Sequence, residues 1–332
     1  MMGVLQHGES GSNRSGRRRL ILGLLCLVLI LLVPTSAGVS ATTAEHRGTQ
    51  TITVATLPIE PGALVFYAKH KGFFQKQGLD VKIMVLPDAA QIIAAVLSDE
   101  AQFSGLSTGG LAVLKSRGAP VKLVAGAALH RAKAPTSALV AAPGKRITRA
   151  RDLVGKVVAL DGPNTPAHIG LLKWLKLSGV SADRIRIKHI PFHQVLGPLT
   201  RGLVDAAVVP EPFVTLTTQR GAKRVAPVLN AVCPQECLLS AYMARRDVSG
   251  ELAARFRNAI QAAAVWANQK KNHAVSGAIL AKYAPIDKAV IRKMARSTYA
   301  TRLRPAQAQP WIDVYAEFKV IPKSFSAQDL VK

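Results

Sequence analysis

Three cysteines, 5% aromatic residues, and 19 carboxylates against 44 lysines and arginines are what this 332-residue chain has little of. Each scarcity removes a class of function. Cys233 and Cys237 have no second cysteine pair and no nearby histidine, so the spacing of a zinc site is missing. His189 and His193 stand four apart, but Pro191 between them argues against a shared helical face for a metal. No phosphate-binding loop, dinucleotide glycine pattern, nucleophile elbow or HExxH motif is present. The formal charge is +25, yet the basic residues are scattered and form neither a long run nor an aromatic-rich stripe. Catalysis, a cofactor, a bound metal and a nucleic-acid partner are therefore not expected.

What the chain does have is apolar material. Hydrophobic residues make up 49% and charged residues 19%, which suits well-formed cores, and the length allows two domains. Residues 1–41 read as a cleaved signal peptide. Arg14, Arg17, Arg18 and Arg19 precede an apolar run at residues 20–33, and Thr35-Ser36-Ala37 or Val39-Ser40-Ala41 would suit the cleavage enzyme. That run of fourteen falls short of the about 20 residues a membrane span needs, with an uncleaved anchor as the alternative. The consecutive arginines also permit twin-arginine export. Cys26 lacks the preceding small residue of a lipid-anchor site. The signal peptide places the remainder, which carries +22, in an oxidising compartment. There Cys233 and Cys237, written CPQEC, suit a disulfide, and two free thiols are the alternative.

The pattern of the fold is set by residues 201–213, RGLVDAAVVPEPF. Gly202 allows a tight turn, residues 206–209 form an apolar run suited to a strand buried on both faces, and Glu211 sits between Pro210 and Pro212 at the strand's carboxyl end. Ligands bind at that edge in open α/β sheets. Strands expected at 52–55, 80–86, 102–106, 121–125, 157–160 and 185–190 alternate with helices at 63–71, 89–97, from Ser107 onward, and at 166–177. From residue 251 the chain reads as helices with apolar stripes, the last being Trp311, Ile312, Tyr315 and Phe318. This order predicts an α/β fold of mostly parallel sheets. Residues 97–109 echo 199–212, with Gln102 in the place of Asp205. Two similarly built lobes around a cleft, or coincidental α/β grammar, would both produce that echo.

The strand-end loops carry the candidate ligand-binding residues. They are Leu57, Pro58 and Glu60 after the first strand; Asp88; Ser107, Thr108 and Gly109; Gly162, Asn164, Thr165 and His168; and Glu211 with Phe213. Thr165, followed by Pro166, suits an N-cap whose helix could hold an anion on its free N–H groups, and Ser107-Thr108-Gly109 repeats the arrangement. Either residue could equally cap its own helix and bind nothing. Asp88 is also a good N-cap. If two of Glu60, Asp88, Asp161 and Glu211 faced the cleft, they would suit an amine or another donor-bearing ligand.

The segments YAKHKGFFQKQGLDVKI (67–83), DLVGKVVALDGPNTPAHIGLLKWLKLSGV (152–180) and GLVDAAVVPEPF (202–213) resemble the periplasmic substrate-binding proteins of ABC importers, in the nitrate, sulfonate, taurine and thiamine-pyrimidine branch. The chain departs from that pattern at Gln102, where Asp is common, and at Gly162-Pro163-Asn164, where a Gly-Ser start is usual. The resemblance implies a two-lobed periplasmic-binding-protein-like fold of the second type. Lobe one would be residues 50–137 plus 238–332, with the C-terminal helices, and lobe two residues 138–237. Crossovers near 135–142 and 238–243 would form the hinge. It further implies a monomeric periplasmic protein that captures a small anionic or zwitterionic solute in the cleft and delivers it to a membrane permease. A same-fold enzyme of pyrimidine and thiamine-precursor metabolism and a secreted ligand-sensing domain are the alternatives. The signal peptide and the missing cysteine cluster argue against the enzyme.

Overall fold

Short apolar runs separated by helices assemble here into two five-stranded sheets. The structure is a computed structural model that describes residues 49–332; the expected signal peptide lies outside the described residues. In chain order the strands are β1 (Gln50–Thr56), β2 (Leu79–Val85), β3 (Phe103–Ser107), β4 (Val121–Gly126), β5 (Ala128–Arg131), β6 (Ser137–Ala141) and β7 (Val157–Leu160). They continue as β8 (Arg186–His189), β9 (Ala206–Pro210), β10 (Lys223–Ala226), β11 (Glu236–Leu238), β12 (Ser240–Arg245) and β13 (Thr298–Tyr299). The helices are α1 (Leu64–His70), α2 (Ala89–Leu97), α3 (Thr108–Ser116), α4 (Pro166–Leu177) and α5 (Leu196–Thr200). They are followed by α6 (Phe213–Gln219), α7 (Gly250–Ala267), α8 (His273–Leu280), α9 (Lys288–Lys293) and α10 (Gln309–Glu317).

The first sheet runs β2-β1-β3-β12-β4 and the second β10-β6-β9-β7-β8. Neighbours β1, β2 and β3 are parallel, as are β7, β8 and β9. Both expected crossovers turn out to be sheet strands: β6 and β12 each run antiparallel to both of their neighbours. The reason lies in their sequences. SALVA and SAYMAR are buried almost throughout, and a segment apolar on both faces belongs inside a sheet. A third, antiparallel sheet of order β11-β5-β13 joins the neighbourhood of the second crossover to the C-terminal segment.

The echo between the halves has a physical basis. Gln102 donates its N–H to the Thr53 carbonyl at 3.1 Å and accepts the Thr53 N–H on Oε1 at 2.8 Å. Asp205 repeats this, donating to the Val157 carbonyl at 2.8 Å and accepting the Val157 N–H on Oδ2 at 2.9 Å. Each of these residues thus bonds both backbone groups of a residue on a parallel strand, Thr53 of β1 in one sheet and Val157 of β7 in the other. Asp205 also pairs with Lys145 at 2.7 Å. The turn before it uses Gly202 at φ 70°, where a side chain would be strained.

The helices close these sheets into cores. Phe256 of α7 stacks on Phe103 of β3 with centroids 4.0 Å apart and meets Tyr242 of β12 edge-on at 5.5 Å. Trp311, Ile312 and Tyr315 of α10 are buried as their stripe requires, whereas Phe318 at its end is only half-buried. Among the described residues, no helix is long and apolar enough to cross a membrane.

Candidate functional site

The carboxyl ends of β1 and β3 from one sheet, and of β7 and β9 from the other, surround a cavity of about 110 Å³. The starts of β6 and β12 complete its wall through Ser137, Leu239 and Ser240. Its surface is chiefly apolar, built from Leu57, Ile59, Leu106, Phe192, Val208 and Leu229 among others. Among the described residues, neither lysine, arginine nor histidine lines it, and Asp161 is the one carboxylate there.

Several wall hydroxyls are already engaged. Thr56 Oγ1 donates to the Gly62 carbonyl at 3.1 Å. Ser240 Oγ donates to the Pro61 carbonyl and accepts the Ala128 N–H, both at 3.1 Å. Ser107 caps α3 by accepting the Gly110 N–H at 3.1 Å. Thr165 caps α4 by accepting the His168 N–H at 3.3 Å, and donates its hydroxyl to Asp161 Oδ1 at 2.7 Å. Burial raises the Asp161 carboxyl to about 6, against the Thr165 hydroxyl and its own backbone amide, which pull it down.

Of the residues expected from sequence, Leu57, Ser107 and Thr165 line this cavity. Leu57, Pro58 and Phe213 line a second cavity of about 230 Å³, which shares Leu57, Ile59 and Phe192 with the first. Phe213 and Phe192 stack with centroids 6.0 Å apart.

The two glutamates face elsewhere. Glu60 is fully buried and accepts from Arg296 Nε at 2.8 Å, the Ser297 N–H at 3.0 Å and the Tyr67 hydroxyl at 3.2 Å. Burial opposes the Arg296 charge, but the Glu60 carboxylate together with Tyr67 and Tyr299 outweighs it and raises the guanidinium further. Glu211 is buried too. Its carboxylate accepts from the Thr215 N–H and hydroxyl, each at 3.0 Å, and from the Ala295 N–H at 3.3 Å, with Arg224 at 3.8 Å. Burial raises its carboxyl, and the bonds from Thr215 and Ala295 offset part of that. The proline-clamped loop directs Glu211 into the first turn of α6 rather than into the cavity.

The remaining expected residues serve the frame. Asp88 caps α2 through the Gln91 N–H at 2.9 Å. Thr108 is buried and ties α3 to the second crossover, its hydroxyl donating to the Leu238 carbonyl at 2.6 Å. Gly109 lies under the ring of Tyr315, and Gly162 accepts the Thr165 hydroxyl on its carbonyl at 3.2 Å. Asn164 donates its N–H to His168 Nδ1 at 3.0 Å, which fixes that nitrogen as an unprotonated acceptor. Burial, then His189, lowers the His168 pKa.

Cys233 and Cys237 are joined in a disulfide, with Cα atoms 6.1 Å apart. Among the described residues, no cluster of histidine, cysteine, aspartate or glutamate could hold a metal ion. Sequence reasoning missed Tyr242 and Phe192 in the wall. Tyr242 enters on an antiparallel strand that the alternating pattern does not signal. Phe192 follows a strand-ending proline, which was the available clue.

The sequence profile of the NMT1/THI5-like family matches residues 62–274, more than half of the chain, and the chain belongs to that family. No curated protein matches it in sequence. Its fold is that of two-lobed periplasmic binding proteins. It is similar to the ligand-binding component of an ABC-type import system from Staphylococcus aureus, solved with zinc bound, at 14% identity over 85% of this chain and 96% of that one, with a TM-score of 0.73. The alkanesulfonate-binding protein SsuA from Xanthomonas axonopodis pv. citri, bound to MOPS, is 16% identical over 86% and 99%, with a TM-score of 0.70. The desulfurization enzyme DSZB shares the fold at 13% identity over 85% and 96%, with a TM-score of 0.63.

Proposed function

We propose that this chain is the exported solute-binding component of an ABC-type importer, holding a small molecule between its lobes and passing it to a membrane permease. The observation that carries the reading is the cavity itself, walled by strand ends of both sheets. Ligands bind at that position in open α/β folds, and closing two lobes around it excludes water and strengthens each polar contact. The lobes would be residues 50–137 plus 238–332 and residues 138–237, moving about the connections that lead into β6 and β12. Export would follow from the signal peptide at residues 1–41, and one copy of the chain would suffice. An enzyme needs a nucleophile with its base, or a paired acid and base; here the one carboxylate among the described wall residues takes the Thr165 hydroxyl, and that hydroxyl is held as the cap of α4. The anionic or zwitterionic solute expected from sequence finds no cationic side chain among the described residues of the wall.

The test is a thermal-shift screen of the purified protein against small solutes, followed by small-angle scattering. A true solute at a hundred times its Kd should stabilise the protein by about 2.7 kcal/mol and reduce its radius of gyration. Turnover of a bound compound would replace this reading with an enzymatic one.

A further inference from the structure

The polar groups of the cavity wall decide what kind of solute it can take, provided that the cavity is the solute site as proposed above. Asp161 follows β7 directly and is half-buried. The Thr165 hydroxyl donates a hydrogen bond to its carboxylate. None of the ion pairs among the described residues includes Asp161. A carboxylate in apolar surroundings without a cation is costly, and a ligand that brings the cation removes the cost.

An oxyanion would meet the opposite conditions. Among the described residues no lysine, arginine or histidine side chain lines the wall, and an anion beside Asp161 would be repelled. The helix starts are partly used. α3 donates its Thr108 N–H to the Leu239 carbonyl and its Gly110 N–H to Ser107, and α4 donates its His168 N–H to Thr165, so an anion would have only the Gly109 and Ala167 N–H groups to set against the Asp161 charge. Size narrows the choice further. A dry apolar cavity of roughly 150 Å³ takes benzene; the 110 Å³ here falls short of that, and the adjoining cavity of about 230 Å³, which shares Leu57, Ile59 and Phe192 with it, supplies the room for one ring.

We propose that the solute is a small, mainly apolar amine or amidine whose protonated nitrogen pairs with Asp161, and not a sulfonate, nitrate or other oxyanion.

The experiment is calorimetric titration of the purified protein at neutral pH with benzylamine, its neutral counterpart benzyl alcohol, benzenesulfonate and nitrate. Benzylamine should bind at least tenfold more tightly than benzyl alcohol, and benzenesulfonate and nitrate should not bind. Asp161→Asn should abolish the preference for the amine over benzyl alcohol. The amine-to-alcohol ratio in the wild-type protein reads the charge even if that variant folds poorly. Benzenesulfonate or nitrate binding as tightly as benzylamine, or an amine preference that survives Asp161→Asn, would overturn the inference while leaving a solute-binding protein. Failure of all four probes to bind would overturn the inference alone; the underlying reading fails separately, when the thermal-shift screen finds no solute that closes the protein in scattering.

Discussion

Tyr315 lies across the first turn of α3 at Gly109 and donates its hydroxyl to the Asn164 carbonyl at 2.7 Å. A Cβ at Gly109 would come within 2.1 Å of the Tyr315 ring, so the missing side chain is what lets α10 reach from α3 to the loop before α4. Lys173 and Lys176 of α4 reinforce the same bridge through Glu317 at 2.6 and 2.9 Å. Gly109→Ala should therefore lower stability by about 1–3 kcal/mol, the usual cost of overpacking. Tyr315→Phe, which loses only the hydrogen bond, should lose about 1 kcal/mol. Urea unfolding measures both, and an unchanged midpoint for Gly109→Ala would show that the ring has room to move.

The Glu60–Arg296 pair joins residues 236 positions apart and is almost wholly out of water. Tyr67 and Ser276 also accept from the guanidinium Nη2, each at 2.9 Å. Removing one member of such a pair leaves a buried charge without its counterion, so Glu60→Ala should cost about 3–5 kcal/mol. Replacing both residues with apolar side chains of similar volume should cost clearly less than the two single changes added together. A double-mutant cycle by chemical denaturation gives the coupling, and strictly additive losses would refute it.

What was legible in the sequence was local. The N-caps at Asp88, Ser107 and Thr165 act over three residues, and each is present. The clasp at Gln102 recurs at Asp205 because two adjacent segments of similar geometry pose the same backbone problem. The site was less legible because its geometry depends on distant partners. Glu60 and Glu211 stand at strand ends, where ligands bind, but Arg296 and the Ala295 N–H draw them into the interior. Nothing near either glutamate in sequence announces those partners. Asp161 occupies the same kind of position and lines the cavity, and none of the ion pairs among the described residues includes it.

The disulfide should prove a modest stabiliser placed at a connection. Cys237 stands on β11 opposite His130 of β5, and His130 Nε2 lies 3.0 Å from Asn230 Oδ1 in the turn before Cys233. Closing a loop with a sequence separation of 4 contributes about 2 kcal/mol in the chain-entropy account. The double variant Cys233→Ser/Cys237→Ser should lose about that amount. Thiol titration of the exported, denatured protein without reductant should find no free cysteine, and two reactive thiols would mean the bond does not form in the exported protein.

Asp161 should also show itself in the pH dependence of stability. Burial lifts its carboxyl to about 6 in the folded chain, from about 4 in an unfolded one. Between those values the folded protein binds more protons than the unfolded chain, so this group's contribution to stability falls as pH rises through that window. Asp152, Asp205 and Glu317 have lowered values and act in the opposite direction. The comparison must therefore be with Asp161→Asn, which keeps an acceptor for the Thr165 hydroxyl. The variant and the wild type should melt together near pH 4, and the variant should gain on the wild type by about 2 °C or more by pH 7. An amine bound beside the carboxylate should close that gap by stabilising only the wild type at pH 7. Parallel melting curves across the whole range would mean that Asp161 is solvated in the free protein and that its ionisation costs nothing there.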